Sequence, residues 1–278
     1  MIPKLTFGYS PCPNDTFSFY ALTHDKLTDL PFSVRERLED VETLNQLALS
    51  GTLDLTKTSY HALGHLREQY ALLRSGGALG RGCGPLVVAT QPTDMAALRG
   101  KTVAIPGELT TANLLLQLYS DGFDQLLILP FDQIMPALKA GEAEAGVIIH
   151  ESRFTYQNQN FHEILDLGAW WEETTGLPIP LGGILARRDL GQELINSVET
   201  AIRASLDYAW KHPEQTRSYI RQHAQELDDA VTDRHINLYV TPFSRDLGTE
   251  GVLAVETLFA QAEKRGIIPA CNLDLFAT

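Results

Sequence analysis

Lys4-Leu-Thr-Phe-Gly-Tyr9 runs directly into Ser10-Pro-Cys-Pro-Asn-Asp-Thr-Phe-Ser-Phe-Tyr20, and this passage from strand to helix sets the reading of the chain. Residues 4–9 read as a strand, and Asn14 and Asp15 supply cap residues for a short helix through Phe17, Phe19 and Tyr20. The unit then repeats. Phe32–Leu38 reads as a second strand, and Val41, Leu44, Leu47 and Ala48 recur at helical spacing until Gly51 closes the helix. Short strands are expected at Leu53–Thr56, Ala71–Arg74 and Leu86–Thr90, the last two separated by the glycine-rich segment 75–84.

After Thr90 the pattern restarts. A helix is expected at Thr93–Leu98, a strand at Thr102–Ile105, a Leu-rich helix at Thr110–Tyr119 and a strand at Leu126–Leu129. A helix at Asp132–Ala140, a strand at Ala145–Ile149 and weaker strands at Glu163–Asp166 and Gly183–Ala186 follow. From Leu190 to Arg265 long amphipathic helices take over. Such alternation calls for an α/β fold of mixed, mostly parallel sheets covered on both faces. The helical tail can complete the first unit, which lacks helices enough of its own. The expected organisation is a discontinuous larger lobe, 1–90 plus 188–278, and an inserted smaller lobe, 91–187, with a hinge and a cleft where the chain crosses twice.

Composition bounds the function. The 278 residues fit two domains or one large α/β unit, at roughly 100–200 residues per domain. Lys+Arg 22 against Asp+Glu 35 leaves a net charge of −13, so binding to nucleic acid or anionic lipid is not expected, and an anionic ligand must be held by local donors. The first residues hold too short an apolar run for a signal peptide, and no later stretch approaches the ~20 apolar residues of a membrane helix; a cytoplasmic protein is expected. Cys12, Cys83 and Cys271 lie far apart with no C-x-x-C spacing, which points to reduced thiols and no structural zinc. Nothing in the sequence bears on oligomeric state.

In open α/β sheets ligands bind beyond the carboxyl ends of the strands. Four such ends carry unusual polar groups. After residues 4–9, two prolines fix the backbone around Ser10-Pro-Cys-Pro-Asn-Asp-Thr16, where Asn14 and Asp15 either meet a polar ligand or merely shape and cap a turn. After Leu53–Thr56, Lys57-Thr58-Ser59 place one cation and two hydroxyls on the lip of the same lobe, unless Lys57 is a solvated rim residue. After Thr102–Ile105, Pro106-Gly-Glu-Leu-Thr110-Thr111 leads into a helix; backbone N–H groups, the helix dipole and two hydroxyls all suit a carboxylate or phosphate, whereas capping alone needs one threonine. After Ala145–Ile149 stands His150, whose ordinary pKa lets a neutral imidazole accept a proton, although a structural histidine is the plainer alternative.

Other motifs carry less. The glycine-rich segment leads into a strand where phosphate loops lead into a helix, and Trp170-Trp171 read as one core and one edge residue. His24, His61, His65, His162, His212, His223 and His235 show no metal-ligand spacing and receive no chemistry. Gly-x-Ser-x-Gly and a strand-to-helix Gly-x-Gly-x-x-Gly are absent, which removes support for a serine hydrolase or a dinucleotide enzyme.

Five segments stand in one order: Ser10-Pro-Cys-Pro-Asn-Asp-Thr-Phe17, Lys57-Thr-Ser-Tyr60, Gly80-Arg-Gly-Cys-Gly-Pro-Leu86, Pro106-Gly-Glu-Leu-Thr-Thr111 and Gly146-Val-Ile-Ile-His-Glu151. Together they resemble the 1,4-dihydroxy-6-naphthoate synthase family of the futalosine route to menaquinone, over essentially the whole chain. That resemblance implies a two-lobed fold like that of type II periplasmic binding proteins. It implies a carbon–carbon lyase that cleaves cyclic dehypoxanthine futalosine, a small substrate bearing a carboxylate, without metal or organic cofactor. His150 matches the family's proton acceptor, and Lys57-Thr58-Ser59 and Thr110-Thr111 match its substrate-binding segments. Thr110 and Thr111 are expected to hold the carboxylate, Ser59 and Lys57 sugar or ring oxygens, and Asn14 and Asp15 to line the sugar end or shape the loop. A solute-binding protein of the same fold and the related chorismate dehydratase remain alternatives.

Overall fold

The computed structural model describes residues 2–123, 125–224 and 228–276. In chain order the strands are β1 (Lys4–Tyr9), β2 (Ser33–Leu38), β3 (Leu55–Ser59), β4 (Tyr70–Leu72), β5 (Ala78–Gly80), β6 (Leu86–Ala89), β7 (Val103–Ile105), β8 (Leu126–Ile128), β9 (Ala145–Ile148), β10 (His162–Asp166) and β11 (Ile179–Arg187). The helices are α1 (Pro13–Thr23), α2 (Val41–Leu49), α3 (Tyr60–Leu66), α4 (Thr111–Tyr119), α5 (Ile134–Ala140), α6 (Ser152–Thr155), α7 (Leu167–Thr175), α8 (Gln192–Lys211), α9 (Pro213–His223), α10 (Asp229–Tyr239), α11 (Pro242–Arg245) and α12 (Gly248–Lys264). The expected helical run 190–265 passes through 225–227, which lie outside the described residues, as do Met1, Asp124 and 277–278.

Local chemistry accounts for the helix ends. Asp40 caps α2 by accepting from Glu42 and Thr43 N–H, Thr110 caps α4, and Asp166 caps α7 through Gly168 and Ala169 N–H. The expected helix at Thr93–Leu98 does not form. Asp94 accepts from Ala97 N–H and Leu98 carbonyl from Lys101 N–H, so the segment closes into successive turns before left-handed Gly100.

Two sheets result. One has the order β2-β1-β3-β11-β4, with β5 also paired to β11; the other is β10-β6-β9-β7-β8. Strands β6 and β11, which carry the chain out of and back into the first sheet, run antiparallel to their neighbours. The sheets are therefore mixed in near-equal parts rather than mostly parallel. By sheet membership β6 belongs to the second sheet and β11 to the first, so the chain changes sheet within 81–85 and within 167–178. Strand β3 likewise runs on to Ser59, because β11 pairs Ile184 with Lys57 and Gly182 with Ser59. Lys57, Thr58 and Ser59 thus lie in a strand and not beyond one.

Apolar packing ties the two sheets together. One continuous cluster joins Leu63 and Leu66 of α3, Leu185 of β11, Leu114 and Leu115 of α4, Val87 of β6 and Leu258 of α12. A second fills the far face of the first sheet against α1 and α8, through Phe7, Phe19, Ile202 and Leu206. A third lies under α5 around Val88, Ala104 and Ile134.

The outbound crossing depends on contact between two backbones. A Cβ on Gly84 would sit 2.3 Å from the Cα of Gly168, and one on Gly168 would sit 2.7 Å from the Cα of Gly84. Backbone cannot swing aside as a side chain can. Gly84→Ala is expected to destabilise the protein by about 3 kcal/mol in urea denaturation. Gly82→Asn, at a left-handed position with open space around it, should cost far less; equal losses would show that the Gly84–Gly168 contact yields.

Candidate active site

The loop after β1 is organised around one carboxylate. Pro13 occupies the first turn of α1, and the Cys12 carbonyl accepts from Asp15 and Thr16 N–H. This folds Asp15 back under the loop, where Oδ2 accepts from Ser10 N–H at 3.1 Å and from the Ser10 hydroxyl at 2.7 Å. Its Oδ1 accepts from Asn14 Nδ2 at 2.8 Å and pairs with the Lys57 ammonium. Asp15 is 1% and Lys57 6% exposed, so this is a buried ion pair and not the rim lysine that is the usual case. Neither Asn14 nor Asp15 caps α1, whose N-cap is Cys12.

Side chains alternate along β3. Lys57 and Ser59 line a cavity of about 590 Å³, counted out to its mouth, and Thr58 is not among its walls. Thr58 is fully buried with an unpartnered hydroxyl, so the expectation that it binds substrate loses its geometric basis. The second sheet contributes Thr110, Thr111 and Ala112 at the start of α4, and Ile149 and His150 after β9. Leu181, Val41, Ala78 and Tyr239 give much of the remaining wall an apolar character.

The two threonine hydroxyls are already engaged. Thr110 Oγ1 donates to the Gly107 carbonyl at 2.8 Å and accepts from Asn113 N–H at 3.3 Å. Thr111 Oγ1 accepts from Tyr60 N–H at 2.9 Å and donates to the Leu181 carbonyl at 2.6 Å, joining α4 to α3 and β11. What this end of α4 offers an anion is backbone N–H and the positive end of the helix. The loop before it is gripped by α2: Asn45 Nδ2 donates to the Leu109 carbonyl at 3.3 Å while its Oδ1 accepts from Ser59 N–H at 2.9 Å. A Cβ on Gly107 would lie 2.5 Å from the Glu42 carboxylate.

His150 adopts φ 55°, a left-handed conformation that is uncommon for a residue with a side chain and that concentrates at functional sites. The half-buried ring meets Phe131 edge-on at 5.0 Å, and its Nδ1 lies 3.6 Å from Cys12 Sγ. Burial first, and the Lys57 charge second, push its pKa down to about 3, so the ring is neutral at physiological pH.

Sequence reasoning missed His235. It is fully buried, stacks nearly parallel to His150 at 6.3 Å between ring centroids, and its Nε2 lies 2.9 Å from Asn14 Oδ1. Its Nδ1 lies 4.0 Å from Glu151 Oε1, and burial holds its pKa well below the usual value. An isolated histidine in an amphipathic helix gives no signal, because its partner Asn14 lies in the first loop. Cys12 and Glu151 were legible only as neighbours of stronger candidates. Atoms of Cys12, His150 and Glu151 all lie within 4.8 Å of one another, a closeness already used by the contact between the ring and the thiol.

The buried pair gives a direct test. Asp15→Asn or Lys57→Met leaves an unmatched charge inside the protein, and each should cost about 3–5 kcal/mol in denaturant unfolding. The double variant should lose less than the sum; strict additivity would show that the two charges do not act as a pair.

A family model described as menaquinone biosynthesis matches residues 5–264. A 1,4-dihydroxy-6-naphthoate synthase of Thermus thermophilus is 54% identical over 272 residues, 98% of each chain. A crystal structure of an Archaeoglobus fulgidus protein superposes with a TM-score of 0.90 at 35% identity, covering 95% of this chain and 98% of that one. The periplasmic aliphatic sulphonate binding protein of Escherichia coli superposes at TM-score 0.67 and 14% identity over 98% of this chain and 90% of that one, which establishes a periplasmic-binding-protein-like fold. No helix among the described residues is long and apolar enough to cross a membrane. With sheet order, cavity and sequence match in agreement, the chain belongs to the menaquinone biosynthesis family.

Proposed function

We propose that this chain is a cytoplasmic carbon–carbon lyase that converts cyclic dehypoxanthine futalosine to 1,4-dihydroxy-6-naphthoate with release of a sugar-derived fragment. The observation that carries this reading is a neutral imidazole, His150, in the wall of a cavity that also holds the start of α4. The Thermus relative bears the name of the synthase. In this reading two lobes, one built on each sheet, enclose the substrate between them, and sheet membership supports that division.

The substrate carboxylate is held by the backbone N–H groups of Thr111 and Ala112 at the start of α4, with Thr110 and Thr111 fixing their direction. Ser59 and Lys57 face the sugar and ring oxygens, where Lys57 offsets developing negative charge. His150 removes the proton that starts fragmentation, and formation of the aromatic ring drives it forward. Apolar walls at Val41, Leu181 and Ile149 keep water from the intermediate. Asn14 lines the sugar end and Asp15 acts through Lys57. An acidic protein of net charge −13 thereby captures an anion with local donors.

Incubation of the purified chain with cyclic dehypoxanthine futalosine should yield dihydroxynaphthoate, and His150→Gln should lower kcat by about 10²–10⁴-fold. Binding without turnover would instead make the chain a carrier, and full activity in His150→Gln would remove the assigned base. The pH profile is a separate check. A base is competent above its own pKa, so with His150 at about 3, kcat/KM should stay level from about pH 8 to about pH 5. A fall centred near the ordinary histidine value of about 6.5 would contradict the buried, neutral ring.

A further inference from the structure

The helical tail carries a buried histidine to the loop after β1, and the reaction above gives it no task. His235 of α10 is fully buried and is not among the cavity walls, but its Nε2 lies 2.9 Å from Oδ1 of Asn14, which is. We propose that His235 is a positioning residue for substrate binding: its Nε2–H donates to Asn14 Oδ1 and locks the side-chain amide, so that Asn14 meets the sugar end of the substrate with an N–H donor. This rests on the reading above in which Asn14 lines the sugar end.

Asp15 sets the direction of each bond. Its Oδ1 pairs with the Lys57 ammonium and accepts from Asn14 Nδ2 at 2.8 Å, while its Oδ2 accepts from the Ser10 N–H and hydroxyl. A carboxylate ringed by four donors carries no hydrogen of its own, so Asn14 must turn its NH2 towards it. The flipped amide would set two oxygens against each other with no hydrogen between them. Asn14 Oδ1 therefore faces His235, and a carbonyl oxygen can only accept. The hydrogen in that contact belongs to Nε2. Burial keeps the ring neutral, which leaves Nδ1 bare. Its surroundings suit a bare nitrogen: Nδ1 has no hydrogen-bond partner among the described residues, and Glu151 Oε1 stands 4.0 Å away, beyond bonding reach. The other tautomer would bury an unpaired N–H and set two lone pairs against each other across the contact with Asn14.

The lock matters because an asparagine amide has nearly the same shape either way round, and half a turn about its last torsion exchanges donor for acceptor. Fixing both ends prevents that turn. One Nδ2 hydrogen goes to Asp15 and Oδ1 is taken by His235, so the second Nδ2 hydrogen is the donor left for a sugar hydroxyl or ring oxygen. The His235 ring is itself held by Tyr239, one turn along α10 at 4.6 Å between centroids. Lys57, Asp15, Asn14 and His235 thus form one directed row from β3 to α10.

Long-range proton–nitrogen NMR on the full chain with labelled histidine reads the tautomer whether or not the proposed substrate is the right one. The native His235 signal, identified by its loss in His235→Gln, should show a ring protonated at Nε2 and bare at Nδ1. His235→Phe should raise KM for cyclic dehypoxanthine futalosine by about 10-fold with kcat little changed, the effect of about one hydrogen bond. His235→Gln, whose amide can donate the same hydrogen, should keep KM within about 3-fold of native. A native ring protonated at Nδ1 overturns the proposal, as does a native KM in His235→Phe or a His235→Gln no better than His235→Phe. A native Nε2–H ring in a chain that forms no dihydroxynaphthoate would leave the lock on Asn14 standing and remove the assigned substrate. Thermal unfolding of each variant, run alongside, separates loss of fold, which lowers kcat through the active fraction, from a change in KM.

Discussion

An aspartate and a lysine, Asp15 and Lys57, are held together where water does not reach, and much of the cavity's geometry follows from the cost of putting them there. Each ion loses several kcal/mol of hydration on burial, so the pair persists only if further hydrogen bonds replace the lost water. Ser10 N–H, the Ser10 hydroxyl and Asn14 Nδ2 supply those bonds to Asp15. Satisfying the carboxylate therefore fixes the loop after β1, and through Asn14 it also orients His235. The same arrangement places a positive charge close enough to His150 to help keep its ring neutral. Stability and chemistry here draw on one set of contacts, which is why no residue of this loop can be assigned to only one of them.

The second sheet and its helix α4 meet the first sheet through polar contacts as well as apolar ones. Thr111 joins α4 to Tyr60 and Leu181, and Asn45 spans Leu109 and Ser59. These bonds engage the hydroxyls that the sequence offers for ligand binding, and in the function proposed above that work falls to backbone N–H groups. A helix start is a good anion site for this reason: its donors are fixed by the fold and cannot turn away.

Much of this was legible in the sequence, because local rules govern it. The strand at residues 4–9, a threonine cap at the start of the helix after β7 and one core tryptophan in the 170–171 pair follow from periodicity and capping chemistry, and the structure gives those places to Thr110 and Trp171. The reading failed where a distant partner decides. Lys57 reads in the sequence as lying beyond its strand because the pairing with β11, which extends β3 to Ser59, joins residues far apart in sequence. Thr58 was grouped with its neighbours, yet alternation along that longer strand turns it away from the cavity. His235 was passed over because nothing near it is unusual; only the fold brings it to Asn14. The places where the chain changes sheet are hidden for the same reason, since β6 and β11 show their allegiance only in their hydrogen bonds.

The apolar cluster that runs unbroken from α3 and β11 through α4 to β6 has a mechanical consequence. Any motion that opens the cavity must leave that seam closed, because parting it would expose large aliphatic side chains at roughly 25 cal/mol for each Å². The edge that can part is the polar one, where Asn45 and Glu42 of α2 hold the Leu109 carbonyl and N–H. Water can replace those bonds nearly in kind. A few hydrogen bonds, more than any area of buried surface, then hold that edge closed, and Asn45, which also holds Ser59, ties the closing of the edge to the cavity wall itself.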